Sequence, residues 1–224
     1  MANKHAILAA SASKRWMACP PSARLCAELP DKSSSYALQG TDAHELAAYK
    51  VLHAIGEDVK DPTENLTFFD QEMDAYTNAY KDFVMEQFMD AKKHCKDPVI
   101  LVEQKLDFSE WVPEGFGTGD AVIVADDILH VIDLKYGMGV MVSADENPQL
   151  MCYGLGALSL FDGIYDIHTV RLSIFQPRRD NIGTYEISKE DLLTWAKETL
   201  SPAAELAFNG EGEFHAGDHC QFCK

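Results

Sequence analysis

Gly117-Thr118-Gly119-Asp120-Ala121-Val122-Ile123-Val124-Ala125-Asp126-Asp127-Ile128-Leu129-His130-Val131-Ile132-Asp133-Leu134-Lys135 decides the fold of this chain. Its two halves are rich in Val and Ile, which favour strands, and Asp126-Asp127 stands between them where the chain must reverse. Symmetry about that pair predicts an antiparallel hairpin with Ala125 opposite Ile128, Val122 opposite Val131 and Asp120 opposite Asp133. Two opposed carboxylates repel, so the arrangement needs a compensating cation. Lys135 follows Asp133 by two and shares its face, because side chains alternate along a strand. Two acids and an ammonium on one face suit a divalent metal with a cation beside it; an exposed Lys–Asp pair is the plainer alternative.

Upstream, Pro98 to Leu106 predicts a third strand, and Glu103 interrupts its apolar residues as a partner for Lys105, an edge position or an acid standing behind a metal site. Farther back, Phe69 to His94 has an aromatic stripe at helical spacing, best explained by core packing. A helix from about Gly40-Thr41 to Ile55 places His44 in its first turn. A neutral imidazole, the form that binds metal, is favoured there over a charged one, although a solvent-facing histidine is the plainer reading of the helix alone. Ser11 to Cys19 predicts a short helix, and Asp31 to Tyr36 a Ser-rich loop.

Downstream, Asn147 to Leu160 reads as a helix on which Gln149 and Tyr153, four apart, share a face. Ile167 to Phe175 and Thr184 to Ile187 read as strands, and Ser188 opens a helix to about Phe208. This order gives an α/β fold, a central mixed β-sheet flanked by helices.

Composition narrows the function. The 224 residues suit one sizeable domain, and 46% hydrophobic content can fill a core. No apolar run approaches a membrane span, so a soluble, cytoplasmic protein with no membrane partner is expected. A net charge of −17 disfavours nonspecific binding to nucleic acid by the body of the protein. The charge is uneven: Met1 to Ala27 holds Lys4, Lys14, Arg15 and Arg24 without an acid, and Arg171 and Arg178-Arg179 form a later basic group. The six cysteines of such a chain do not suggest a disulfide framework. Cys95 and Cys152 read as buried thiols, while Cys19, Cys26, Cys220 and Cys223 lie toward the two ends.

Four motifs then line up in order. Gly40-Thr41-x-x-His44-Glu45, Gly119-Asp120, Asp133-Leu134-Lys135 and Gln149-x-x-x-Tyr153 resemble the motifs of the RecB-like branch of the PD-(D/E)XK nuclease superfamily. The chain is similar to phage-encoded members of that branch. The resemblance implies a restriction-endonuclease-like core over residues 1–217, with a helical insertion around 57–97 and a cysteine-containing tail starting at 218. It implies a deoxyribonuclease, an exonuclease or end-processing enzyme of phage replication or recombination, with DNA and proteins of those processes as partners.

The resemblance assigns Mg²⁺ or Mn²⁺ to His44, Asp120, Asp133 and the Leu134 carbonyl; hard oxygen ligands suit both ions, and an imidazole favours manganese somewhat. Lys135 would orient or help deprotonate the attacking water and stabilise the transition state, and Gln149 and Tyr153 would position water or phosphate. Glu103 would stand behind the ligands. Arg178 and Arg179 would contact DNA on charge grounds, a surface role being the alternative.

Related CRISPR-associated and AddB-type members carry an iron–sulfur cluster with one Cys before the nuclease motifs and three near the C-terminus. Cys19, Cys220 and Cys223 match three of those positions, and the next Cys would fall beyond Lys224. A [4Fe-4S] cluster is therefore expected in the full-length protein and incomplete in this chain; Cys26 is an alternative fourth thiolate, set apart from Cys19 by two prolines, and zinc or a free dithiol are alternatives for Cys220-x-x-Cys223. Two other classes of function compete: a binding module that kept the fold and lost cleavage, and a structural metalloprotein centred on the cysteines. The presence of His44, Asp120, Asp133 and Lys135 together argues against the first, and the opposed acids are left unexplained by the second.

Overall fold

The computed structural model describes residues 6–30 and 34–224. Its centre is a five-stranded sheet in the order β1 (Val99–Asp107), β2 (Phe116–Ala125), β3 (Ile128–Leu134), β4 (Thr169–Gln176), β5 (Asn181–Ser188). β1, β2 and β3 form an antiparallel meander, β3 and β4 run parallel, and β5 returns antiparallel. The fold is α/β, a mixed sheet flanked by helices. The hairpin register is the expected one: Ala125 faces Ile128 and Val122 faces Val131, with Asp126 taking the left-handed turn conformation at φ 49°.

The parallel pair requires a crossover, which helix α5 (Pro148–Phe161) supplies. Asn147 caps it by accepting from the Gln149 and Leu150 amides, and Pro148 occupies the first turn, where it forfeits no helical bond. α5 is buried along most of its length against Val122, Val131 and Leu172 on one sheet face. Gly156 permits this approach, since a Cβ there would lie 2.9 Å from the Leu106 Cβ and 3.2 Å from the Leu106 carbonyl carbon.

Helices α3 (Ser35–Ala54) and α4 (Gln71–His94) cover the opposite face. Ala47, Val51, Tyr80, Val84 and Phe88 pack there onto Ala121, Ile123, Ile132, Leu134 and Phe175. Lys50 on α3 ties the two helices together through the Asp74 carboxylate at 2.8 Å and the Thr77 hydroxyl at 2.8 Å. Short helices α1 (Ser13–Ala18) and α2 (Ser22–Ala27) pack against α7 (Ser201–Asn209), which a π-helical turn over Ala196–Leu200 joins to α6 (Lys189–Trp195) beside α5, β4 and β5.

α3 starts earlier than the sequence predicted. Ser34 caps it by accepting from the Ala37 amide, so Ser35 and Tyr36, expected in a loop, are helical; the remainder of that expected loop, 31–33, lies outside the described residues. His44 consequently sits in the third turn, beyond reach of the helix N-terminal dipole, and another interaction must set its charge. Among the described residues no helix is long and apolar enough to cross a membrane.

The close contact of α5 with β1 gives a direct test. Gly156→Ala is expected to destabilise the chain by about 1–3 kcal/mol, the usual cost of overpacking, despite the higher helix propensity of alanine. Urea denaturation followed by circular dichroism measures it, and an unchanged or raised midpoint would show that the helix stands off further than described.

Candidate metal centre

Four elements converge at one end of the sheet. β2 brings Asp120, β3 brings Asp133 and leads into Lys135, α3 brings His44, and α5 brings Gln149 and Tyr153. All line one open cleft of about 520 Å³ together with Glu103.

Asp120 is the junction. One carboxylate oxygen lies 2.8 Å from His44 Nδ1, and the other accepts the Leu134 amide at 2.6 Å. Burial pulls the His44 pKa down, but the charge and hydrogen bond of Asp120, with Asp133 and Glu103 behind, outweigh it and lift the imidazole to about 9. The metal-free site therefore holds a proton on His44 at neutral pH.

Glu103 reaches the same point through an unusual backbone. Its φ of 51° is left-handed, a region that costs a non-glycine residue about 1–3 kcal/mol. Val102 pairs with Ala121 and Gln104 with Gly119, while Glu103 and Asp120 drop out of the ladder between them. The kink redirects Glu103 out of strand alternation. One ligand atom each from His44, Glu103 and Asp120 then falls within 4.8 Å of the others. Glu103 is pushed up to about 7, first by desolvation and then by Asp120, with His44 opposing.

Asp133 lies beside this group, 3% exposed. Lys135 Nζ sits 2.8 Å from its Oδ2 and donates to Gln149 Oε1 at 3.0 Å. Gln149 donates to Asp133 Oδ1 at 3.2 Å and to the Tyr153 hydroxyl at 3.3 Å. Burial raises the Asp133 pKa, and the Lys135 charge opposes that rise. The Lys135 ammonium thus meets the buried Oδ2 directly, and the carboxylate is held from both sides by Lys135 and Gln149. The Tyr153 ring approaches β2 closely because residue 117 is glycine: a Cβ there would meet Tyr153 Cε1 at 2.6 Å.

These residues fit a hard divalent cation. Three carboxylates face one lysine and one imidazole, the oxygen and nitrogen donors match the preferences of Mg²⁺ and Mn²⁺, and three of these groups offer ligand atoms within 4.8 Å of one another. The grouping differs from the expected one in its members. Glu103, expected to stand behind the ligands, is among the three converging groups, while Asp133 turns toward Lys135 and Gln149.

The expected iron–sulfur residues do not form a comparable set. Cys19 Sγ accepts the His215 amide at 3.5 Å, Cys220 Sγ accepts the Gly217 amide at 3.4 Å, and Cys223 Sγ lies 3.6 Å from Cys26 Sγ. Among the described residues no three cysteine sulfurs lie within 4.8 Å of one another; Cys19 and Cys220 both lie against His215, and Cys26 faces Cys223. Cys95 and Cys152 are buried free thiols, as expected.

The two arginines also part company. Arg178 lies over the Tyr136 ring at 5.0 Å, donates to Gln39 at 3.2 Å and contacts Glu72 at 3.4 Å. It fastens the chain after Lys135 to α3 and α4, with little of its guanidinium left for a phosphate. Arg179 is exposed and donates to the Met138 carbonyl at 3.0 Å.

Residues 5–224 match the model of a family described as "Protein of unknown function (DUF2800)". The chain belongs to the DUF2800 family. Among solved structures, this DUF2800 chain matches one titled "Crystal structure of SSO0001", at 14% identity over 83% of this chain and 94% of that one. The TM-score is 0.29, too low to support any inference.

The protonation of His44 and Glu103 predicts how metal binding responds to pH. A ligating imidazole or carboxylate must shed its proton, and these two groups hold theirs up to about pH 9 and 7. Mn²⁺ affinity is thus expected to rise steadily from about pH 6 to 9, by up to tenfold per unit for each proton displaced. Calorimetric titrations in buffers of different ionisation enthalpy should record proton release at pH 7. An affinity flat across that range would mean that neither group binds the ion.

Proposed function

We propose that this chain is a metal-dependent deoxyribonuclease of the PD-(D/E)XK, RecB-like kind. The observation that carries the reading is the convergence of His44, Glu103 and Asp120 beside the Asp133–Lys135–Gln149 network in one open cleft. In this reading residues 1–217 are the nuclease-like unit, and its role is exonucleolytic or end-processing work in phage replication or recombination.

The division of labour follows from the contacts. His44, Glu103 and Asp120 would hold Mn²⁺ or Mg²⁺, with Asp133 and the Leu134 carbonyl next to them. A bound divalent ion supplies Lewis-acid polarisation of a phosphoryl oxygen and a more acidic water. Asp120 also holds His44 in place and, by accepting the Leu134 amide, fixes the end of β3 from which Lys135 projects. Asp133 and Gln149 anchor the Lys135 ammonium, whose side chain remains a quarter exposed to the cleft. There it can meet the negative charge that grows on the scissile phosphate as water attacks phosphorus and the deoxyribose oxygen leaves. Gln149, steadied by Tyr153, shares the ammonium with Asp133 and so fixes its position.

The protein with Mn²⁺ is expected to degrade linear DNA. Asp133→Ala and Lys135→Ala should each lower the rate by about 100-fold or more, the scale for losing a group that stabilises the transition state. A linear-over-circular preference would assign exonucleolytic cutting. Equal inertness of the wild type and both variants with Mg²⁺ and Mn²⁺ would reject the nuclease reading in favour of a binding module.

A further inference from the structure

His44 and Glu103 face more than one space. A second cavity, of about 400 Å³, lies against the same two side chains and Thr41, and so shares a wall with the cleft that holds Asp133 and Lys135. Tyr49, Leu52 and Val59 give it an aromatic and aliphatic side. Tyr49 is held by stacking on His53, with ring centroids 5.8 Å apart and planes at 21°. Two polar groups complete it: the Glu45 carboxylate, an acceptor, and Lys60, exposed and without an ion pair among the described residues.

We infer that this cavity is a nucleoside subsite: it takes the base and sugar of the nucleotide next to the phosphate that a cation bound by His44, Glu103 and Asp120 would face. The inference rests on the nuclease reading above. The size is at the lower end of pockets that take small molecules, room for one nucleoside unit and no more. The apolar wall and the Tyr49 ring suit a base, for which stacking on an aromatic side chain is the commonest sequence-tolerant contact. Glu45 would repel a phosphate but accept from a sugar hydroxyl or a base amino group, which places the phosphate outside the pocket. Lys60 is the cation placed to meet it there. In a chain of net charge −17, a strand would be held by stacking and a few local cations, not by a broad basic surface.

The test uses dye-labelled oligothymidylate and an abasic oligomer of equal length, in low salt with Ca²⁺ in place of Mn²⁺, read by fluorescence anisotropy. The wild type is expected to bind oligothymidylate about tenfold more tightly than the abasic oligomer, the scale of one stacked base. Tyr49→Leu should remove that preference. Lys60→Glu, at an exposed position with no structural contact to lose, should weaken both oligomers by similar factors. A wild type that binds neither oligomer, or shows no preference for bases, overturns the subsite, as does a preference that survives Tyr49→Leu. Cleavage of the same oligothymidylate with Mn²⁺ is scored separately. Base-dependent binding without cutting would reject the nuclease reading and leave the subsite standing, and cutting without base-dependent binding would do the reverse.

Discussion

The Asp120 carboxylate bonds in two directions, and both bonds cross between elements. One oxygen reaches α3 through His44, and the other takes the amide at the end of β3. Bonds to a charged acceptor in a nearly buried setting are stronger than neutral ones, and leaving either donor unmet is costly. The position of His44 over the sheet and the departure of the chain toward Lys135 therefore depend on the same side chain. Glu103 depends on it as well, since the ladder opens where Asp120 and Glu103 would otherwise pair.

This economy produces an electrostatic imbalance. Asp120, Asp133 and Glu103 gather more negative charge than Lys135 and His44 return, and the protein accommodates it by raising the affinity of Glu103 and His44 for protons. Protons are weak placeholders that a divalent ion can displace. The same excess of acid surrounds the cleft at the scale of the whole chain, so a polyanion would have to be met by short-range contacts and bound metal.

Much of this was legible because the hairpin has period two and a symmetric turn. Val122 and Val131 had to oppose each other once Asp126-Asp127 reversed the chain, and that register alone brought Asp120 near Asp133. Gln149 and Tyr153 followed from helical spacing and the Asn147-Pro148 start. What could not be read was whatever depended on backbone departures or distant partners. The start of α3 is hidden because its cap, Ser34, stands in a Ser-rich stretch and Gly40-Thr41 imitates a helix start. The approach of Glu103 to His44 and Asp120 is not legible, because strand alternation assumes regular φ and nothing local announces a left-handed residue in mid-strand. Arg178 looked available because a sequence does not show that Tyr136 lies beneath it.

The left-handed backbone at Glu103 sets folding and chemistry against each other at a single position. Glycine would adopt φ 51° without strain, and asparagine more readily than glutamate, so either would ease the strand. Either would also remove the third acid from the group with His44 and Asp120. Engineering this chain for thermal tolerance alone would drift toward such replacements, and the gain in melting temperature would mark the loss of the site.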